Sequence, residues 1–205
     1  MDRIPVKGII FDLDGTLVTS ELDFSLIRAQ IGCPSGHDLL SYINSLPSPY
    51  MREEAMNIVH QHELCDAQHC EVIPGVKPVL TQLSQMGVPL AVVTRNFAKA
   101  AHLKLKATGL PIPLTLTRDD APAKPDPTAL LRVAQTWQVP SYQCVYVGDY
   151  LYDIQAAHNA QMPSCLFAPN NIPHYAEQAD IVIRDFSQLV DALCTLDINR
   201  CRDLA

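Results

Sequence analysis

The sequence predicts an α/β fold in three layers, a largely parallel sheet between helices, with a small α-helical cap inserted after strand 1. Three observations predict it. Short apolar runs alternate with stretches of helical periodicity, the pattern of βαβ units. The runs are almost continuously apolar, as in strands covered on both faces. One interval, directly after the first run, holds helical patterns only.

Each element follows in order. Residues 6–11 form a compact apolar run, interrupted by Lys7 and Gly8, and read as the first strand. Residues 88–93 (VPLAVV) are the second, 114–117 a weaker third, 144–147 (CVYV) the fourth, 164–167 the fifth and 180–183 the sixth. Helical patterns lie between most of them, at 76–86, 98–108, 128–137, 154–160 and 187–196. The first crossover differs. It carries three helical stretches, at 22–31, 38–46 and 50–70, punctuated by Pro34, Ser35 and Gly36 and then by Pro47 and Pro49. Pro74-Gly75 marks the return to the α/β body. The chain therefore divides into an α/β core at 1–17 and 74–205 and a helical cap at 18–73.

Composition excludes several classes of function. Hydrophobic residues make up 48% and charged residues 18% of the 205, as in soluble globular proteins. The formal net charge of −7 opposes adsorption on nucleic acid or on an anionic membrane. Aromatic residues at 6% offer no base-stacking platform. No stretch approaches the roughly 20 apolar residues that span a bilayer. The N-terminal apolar run is short and meets acidic residues at once, unlike a signal peptide. The expected location is cytoplasmic. The seven cysteines are odd in number and scattered, and form no C-x-x-C. They read as reduced thiols, with Cys144 and Cys165 in core strands.

Four segments carry chemistry. The first strand ends in Asp12-Leu13-Asp14-Gly15-Thr16. Ligands of parallel sheets bind beyond the carboxyl ends of the strands, and two aspartates there can share a cation. Alone, this is also an ordinary polar turn. The fourth strand ends in Gly148-Asp149, with Asp153 beyond it at or near a helix N-cap. Two carboxylate clusters on one sheet edge suit a hard cation such as Mg²⁺. The second strand ends in Thr94-Arg95-Asn96, where a hydroxyl and free N–H groups suit a phosphate. Lys124 precedes Pro125-Asp126-Pro127, in which Asp126 reads as an N-cap and Pro127 as the first helical residue. A lysine pinned there can neutralise a phosphoryl group, although a solvated loop lysine is the simpler reading of that segment alone.

In this order and at these strand ends, the segments resemble the haloacid dehalogenase-like (HAD) hydrolase superfamily. The resemblance covers nearly the whole chain. It is to the branch with a small helical cap after strand 1, which includes phosphoglycolate-phosphatase-like enzymes. It implies a Rossmann-like HAD core and a Mg²⁺-dependent phosphatase acting on a small phosphorylated metabolite. Asp12 is implied as the nucleophile that forms an aspartyl-phosphate, and Asp14 as the acid and base. The implied metal ligands are the Asp12 and Asp149 carboxylates and the Asp14 backbone carbonyl, with Asp153 bound directly or through water. Thr94, Arg95 and Lys124, with backbone amides near Leu13, Asp14 and Arg95, are implied as the phosphate-binding groups.

Asp14 argues against dehalogenase relatives, which lack an acid two residues after the nucleophile. The absence of lysine between Asp12 and Pro74 argues against Schiff-base phosphonate cleavage. The alternatives that remain are a phosphosugar mutase of the same superfamily and a non-catalytic binding protein on this fold. The sequence also departs from its relatives. Gln161 stands where a glycine is common, which predicts a left-handed residue there. Tyr150 and Tyr152 are bulky and are expected at the pocket mouth. In the cap, His62, Cys65 and His69 share a helical face with zinc-ligand chemistry but no placed fourth ligand, so they read as a surface stripe. Tyr42, Tyr50, Arg52 and Arg95 are candidate substrate contacts. No oligomeric state is assigned.

Overall fold

A computed structural model describes residues 5–197. Six parallel strands form one sheet in the order β3-β2-β1-β4-β5-β6. They are β1 (Gly8–Phe11), β2 (Leu90–Val93), β3 (Leu114–Leu116), β4 (Cys144–Gly148), β5 (Ser164–Phe167) and β6 (Ile181–Ile183). The order reverses at β1, which pairs with β2 on one side and β4 on the other. A doubly wound sheet opens a crevice at such a switch point, beyond the carboxyl ends of its strands.

Side-chain alternation explains the three layers. Ile9, Phe11, Val145 and Val147 face one side, against Val76, Leu80 and Leu83 of α4 (Val76–Gln85) and Leu189 and Leu193 of α8 (Leu189–Cys194). Ile10, Cys144 and Tyr146 face the other, against Leu130, Val133 and Ala134 of α6 (Thr128–Trp137) and Ala156 and Ala157 of α7 (Leu151–Asn159). The four central strands β1, β2, β4 and β5 are buried on both faces, which is why they lack a polar alternation.

Between β1 and α4 lie α1 (Phe24–Ile31), α2 (Leu39–Ser45) and α3 (Pro49–Ala67). Asp23, Asp38 and Ser48 cap them, each accepting a backbone N–H three residues on. This insert has its own apolar cluster, including Ile27, Leu39, Ile43, Ala55 and Val59. Its two connections pair with each other: the Thr19 N–H donates to Glu71 O at 2.8 Å and the Ile73 N–H to Leu17 O at 3.0 Å. Helix α3 lies along α5 (Ala98–Thr108) of the core.

Several boundaries differ from the sequence expectation. Helix α7 begins at Leu151, so Asp153 lies inside its first turn; Tyr150 is the N-cap, and its N–H donates to the Asp153 carboxylate at 2.9 Å. Helix α6 begins at Thr128, after Pro127. Asp126 still accepts the Thr128 N–H at 2.8 Å. Gln161 has φ +53°, the expected left-handed residue. Among the described residues no helix is long and apolar enough to cross a membrane. The six described cysteines are free thiols, and Cys201 lies outside the described residues.

Candidate active site

The site is built at the carboxyl ends of β1 and β4. Asp12 directly follows β1, and its N–H donates to Val147 O at 2.8 Å, which locks it to the neighbouring strand. The chain then turns at Gly15, with φ +74°. A Cβ on Gly15 would overlap the Asp149 carboxylate, and one on Gly148 would overlap the Asp153 side chain. The two glycines thus vacate the space that two acids fill. As a result, carboxylate oxygens of Asp12, Asp149 and Asp153 lie within 4.8 Å of one another, the one such group among the described residues. Thr16 donates its hydroxyl to Asp149 Oδ1 at 3.3 Å.

Lys124 enters this group from the loop before α6. Its Nζ donates to Asp12 Oδ1 at 2.7 Å, to Asp153 Oδ1 at 2.6 Å and meets the Tyr146 hydroxyl at 2.7 Å. Asp14 sits on the other side of the turn. Its Oδ2 accepts from Asn96 Nδ2 at 2.6 Å and its Oδ1 from Lys104 Nζ at 2.5 Å. Asn96 in turn donates to the Thr94 hydroxyl at 3.1 Å. The ends of β1, β2 and β4 and the loop before α6 therefore converge, with Asp12, Asp14, Thr94, Lys124, Asp149 and Asp153 around one cavity.

Electrostatics show what the group lacks. Burial, reinforced by Asp153 and Asp14, pushes the Asp12 carboxyl up to about 7 despite Lys124. Burial and the neighbouring Asp153 and Asp12 push Asp149 up to about 8. Burial works against the Lys124 ammonium, but Asp12 and Asp153 outweigh it and hold its pKa above the ordinary lysine value. One ammonium does not offset three carboxylates, two of them buried and the third, Asp149, half-buried. A hard divalent cation among those oxygens would, and the all-oxygen donor set fits one.

The cavity holds about 340 Å³. Its wall opposite the strand ends comes from the insert, through Leu22, Phe24, Ile27, Asp38, Leu39 and Val59. Arg95, Tyr150 and Tyr152 also line it. Arg95 lies over the Tyr152 ring at 4.6 Å and pairs with Asp38 at 2.5 Å, so its guanidinium faces the insert. Tyr42, Tyr50 and Arg52 are absent from the lining; Tyr50 is 70% exposed, and Arg52 donates to Leu46 O at 2.5 Å. These three expected contacts sit on the insert's own surface and core, because α2 and α3 turn other faces to the cavity.

The family profile of the haloacid dehalogenase-like hydrolases matches residues 25–167. The chain belongs to that family. It is 28% identical to a haloacid dehalogenase-like hydrolase domain-containing protein of Arabidopsis thaliana, over 95% of this chain and 86% of the relative. It is 29% identical to a phosphoglycolate phosphatase of Thiobacillus denitrificans, over 78% of this chain and 82% of the relative. The fold superposes on a hydrolase from Pseudomonas syringae with a TM-score of 0.78 and 22% identity, covering 91% of this chain and 97% of that one.

In this HAD-family hydrolase the structure adds residues that the sequence did not single out. Lys104 and Asn96 hold Asp14, and Tyr146 holds Lys124. Arg118 pairs with Glu63 of α3 at 2.5 Å. Asn96 lies in the strand-end segment Thr94-Arg95-Asn96; Tyr146 lies within the fourth strand and Lys104 within the helical pattern at 98–108, and neither stands beyond a strand end. The histidine stripe is engaged elsewhere: His62 Nε2 meets Gln30 Oε1 at 2.7 Å and His69 Nδ1 meets Cys65 O at 3.0 Å.

Proposed function

We propose that the protein is a Mg²⁺-dependent phosphatase that hydrolyses a small phosphomonoester through an aspartyl-phosphate. The observation that carries this reading is the convergence of Asp12 with Lys124, beside a three-carboxylate group and within one cavity with Asp14. The phosphatase named among the relatives supports it. Asp12, Asp149 and Asp153 would hold the cation, with the Asp14 carbonyl. Bound there, Mg²⁺ supplies positive charge that lets an anionic nucleophile approach a phosphate dianion.

The chain's own residues do the rest. An Asp12 carboxylate oxygen attacks phosphorus and the ester P–O bond breaks. Asp14 gives its proton to the departing oxygen, which leaves as an alcohol. Asp14 then takes a proton from water as that water attacks the same phosphorus. The bond to Asp12 breaks, inorganic phosphate forms, and both aspartates return to their starting states. Lys124 and the Thr94 hydroxyl, with Arg95 at the cavity wall, hold the transferred group in line. Residues 18–73 act as the cap over a core of 1–17 and 74–205. The free thiols suit a cytosolic setting.

The test is a phosphate-release screen over small phosphate esters with Mg²⁺ present. Release of one inorganic phosphate per alcohol is expected, and return of the phosphoryl group to a second sugar hydroxyl would instead mark a mutase. Asp12→Asn should lose activity by several orders of magnitude while keeping its melting profile. Near-normal turnover by that variant would sink the mechanism.

A further inference from the structure

We propose that Lys104 is a positioning residue, which holds the Asp14 carboxylate in place and ties it, through Asp66, to the docked helical insert. The proposal rests on the assignment of Asp14 as the proton-transfer group.

Lys104 projects from α5, a core helix, and is fully buried at 0% exposure. Its Nζ contacts two carboxylates at 2.5 Å each, Asp14 Oδ1 and Asp66 Oδ2. Enclosing an ammonium is costly unless it is paired, so a lysine with no task here would be better replaced by an apolar side chain. Neither acid needs Lys104 merely to find a partner. Asp14 already accepts from Asn96 at 2.6 Å. Asp66 already accepts from the Ser20 hydroxyl at 3.0 Å and the Glu21 N–H at 2.6 Å. What Lys104 adds is the link between them.

That link closes a circuit. The turn that carries Asp14 bonds to the outgoing connection through Gly15 N–H to Val18 O, at 2.8 Å. The same connection reaches Ser20 and Glu21, which Asp66 grips from the end of α3. Asp66 and Asp14 then share one ammonium. The plane of the Asp14 carboxylate is fixed by one donor on each oxygen, Lys104 on Oδ1 and Asn96 on Oδ2. Withdrawal of α3 from α5 would remove Asp66 and leave Lys104 held from one side only. Asp14 is therefore best oriented when the insert is docked, so that proton transfer and closure coincide.

The test compares Lys104→Met, Asp66→Asn and Asp14→Asn with the unaltered enzyme. Phenyl phosphate and p-nitrophenyl phosphate are the probes, in single turnover with Mg²⁺. A positioned acid contributes roughly 100- to 10,000-fold, and most for the poorer leaving group. Lys104→Met should slow phenyl phosphate about 10- to 100-fold more than p-nitrophenyl phosphate, in the single-turnover rate constant at saturation and not in the half-saturating concentration. Asp66→Asn should shift the same ratio in the same direction by less. Amide exchange at Ser20–Glu21 and at Glu71–Val72 should rise in both variants.

If both probes slow equally in Lys104→Met while the ratio changes in Asp14→Asn, the positioning role is overturned and Asp14 keeps its own. An unchanged ratio in Asp14→Asn would overturn the parent assignment instead. If Lys104→Met does not fold, Asp66→Asn carries both readouts, and unchanged ratio and exchange there overturn the proposal.

Discussion

Gly148 shows how much of the site is decided by single atoms. A methyl group there would collide with Asp153, whose carboxylate both receives Lys124 and completes the three-acid group. Alanine at 148 should therefore act as a cation-site mutation although it changes no charge. In the unaltered protein Mg²⁺ should raise the melting temperature by mass action, since the unfolded chain has no such site. Asp149→Asn and Gly148→Ala should each remove most of that shift, measured by calorimetry with and without EDTA. An undiminished shift in Asp149→Asn would place the cation elsewhere. At this scale the sequence was most legible where chemistry sits next to a strand end. Asp12, Asp14, Thr94, Lys124, Asp149 and Asp153 all depend on local order, and all reach one cavity. Lys104 was illegible for the opposite reason. Its segment, AKAAHLKLKAT, carries three lysines and looks like a solvated helix face. Its burial depends on α3, a helix from another part of the chain.

Helix α3 and its core neighbours form a charge-matched contact. The insert supplies Asp38, Glu63 and Asp66, and the core supplies Arg95, Arg118 and Lys104. The Arg118–Glu63 pair is almost dry, with side chains 7% and 8% exposed. Glu63 also accepts the Phe97 N–H at 3.1 Å. Burial raises the Glu63 pKa, and Arg118 only partly opposes it. Arg118→Met would remove that opposition and leave a buried acid. Breaking such a pair costs about 3–5 kcal/mol. The sign with pH follows from linkage. A carboxyl whose folded pKa lies above its unfolded value contributes stability below the unfolded value and loses it as pH rises through the folded one. The deficit of Arg118→Met should thus be smallest near pH 5 and grow toward pH 8, in urea denaturation at both. A deficit independent of pH would mean that Glu63 is not the acid left behind. Element existence was legible from periodicity, whereas element ends were not. Helix α7 starts three residues before its apolar pattern does, because Asp153 closes a capping box on Tyr150.

The whole molecule joins a rigid sheet edge to an insert that carries its own apolar cluster. The insert contributes none of Asp12, Asp149 and Asp153, which all lie at or just beyond strand ends of the sheet. It contributes one wall of the cavity and three acids for core cations. On the proposed function, chemistry and selectivity are thereby separated in the chain. Replacing residues 18–73 with a short Gly/Ser linker should leave phosphoryl transfer to Asp12 possible. It should also remove the wall formed by Leu22, Phe24, Ile27, Leu39 and Val59, and release Lys104 from Asp66. p-Nitrophenyl phosphate needs little proton transfer on departure, so some hydrolysis of it should persist. Esters of poor leaving groups should lose far more, and the ranking among metabolites should flatten. In the intact enzyme the cavity of about 340 Å³, walled on one side by the insert, should admit a small leaving group and not a folded protein surface. A panel of phosphate esters alongside a phosphoprotein decides this. A higher kcat/KM on the phosphoprotein than on every small ester would show that the insert does not close over the site, and the division of labour between core and insert would fail with it.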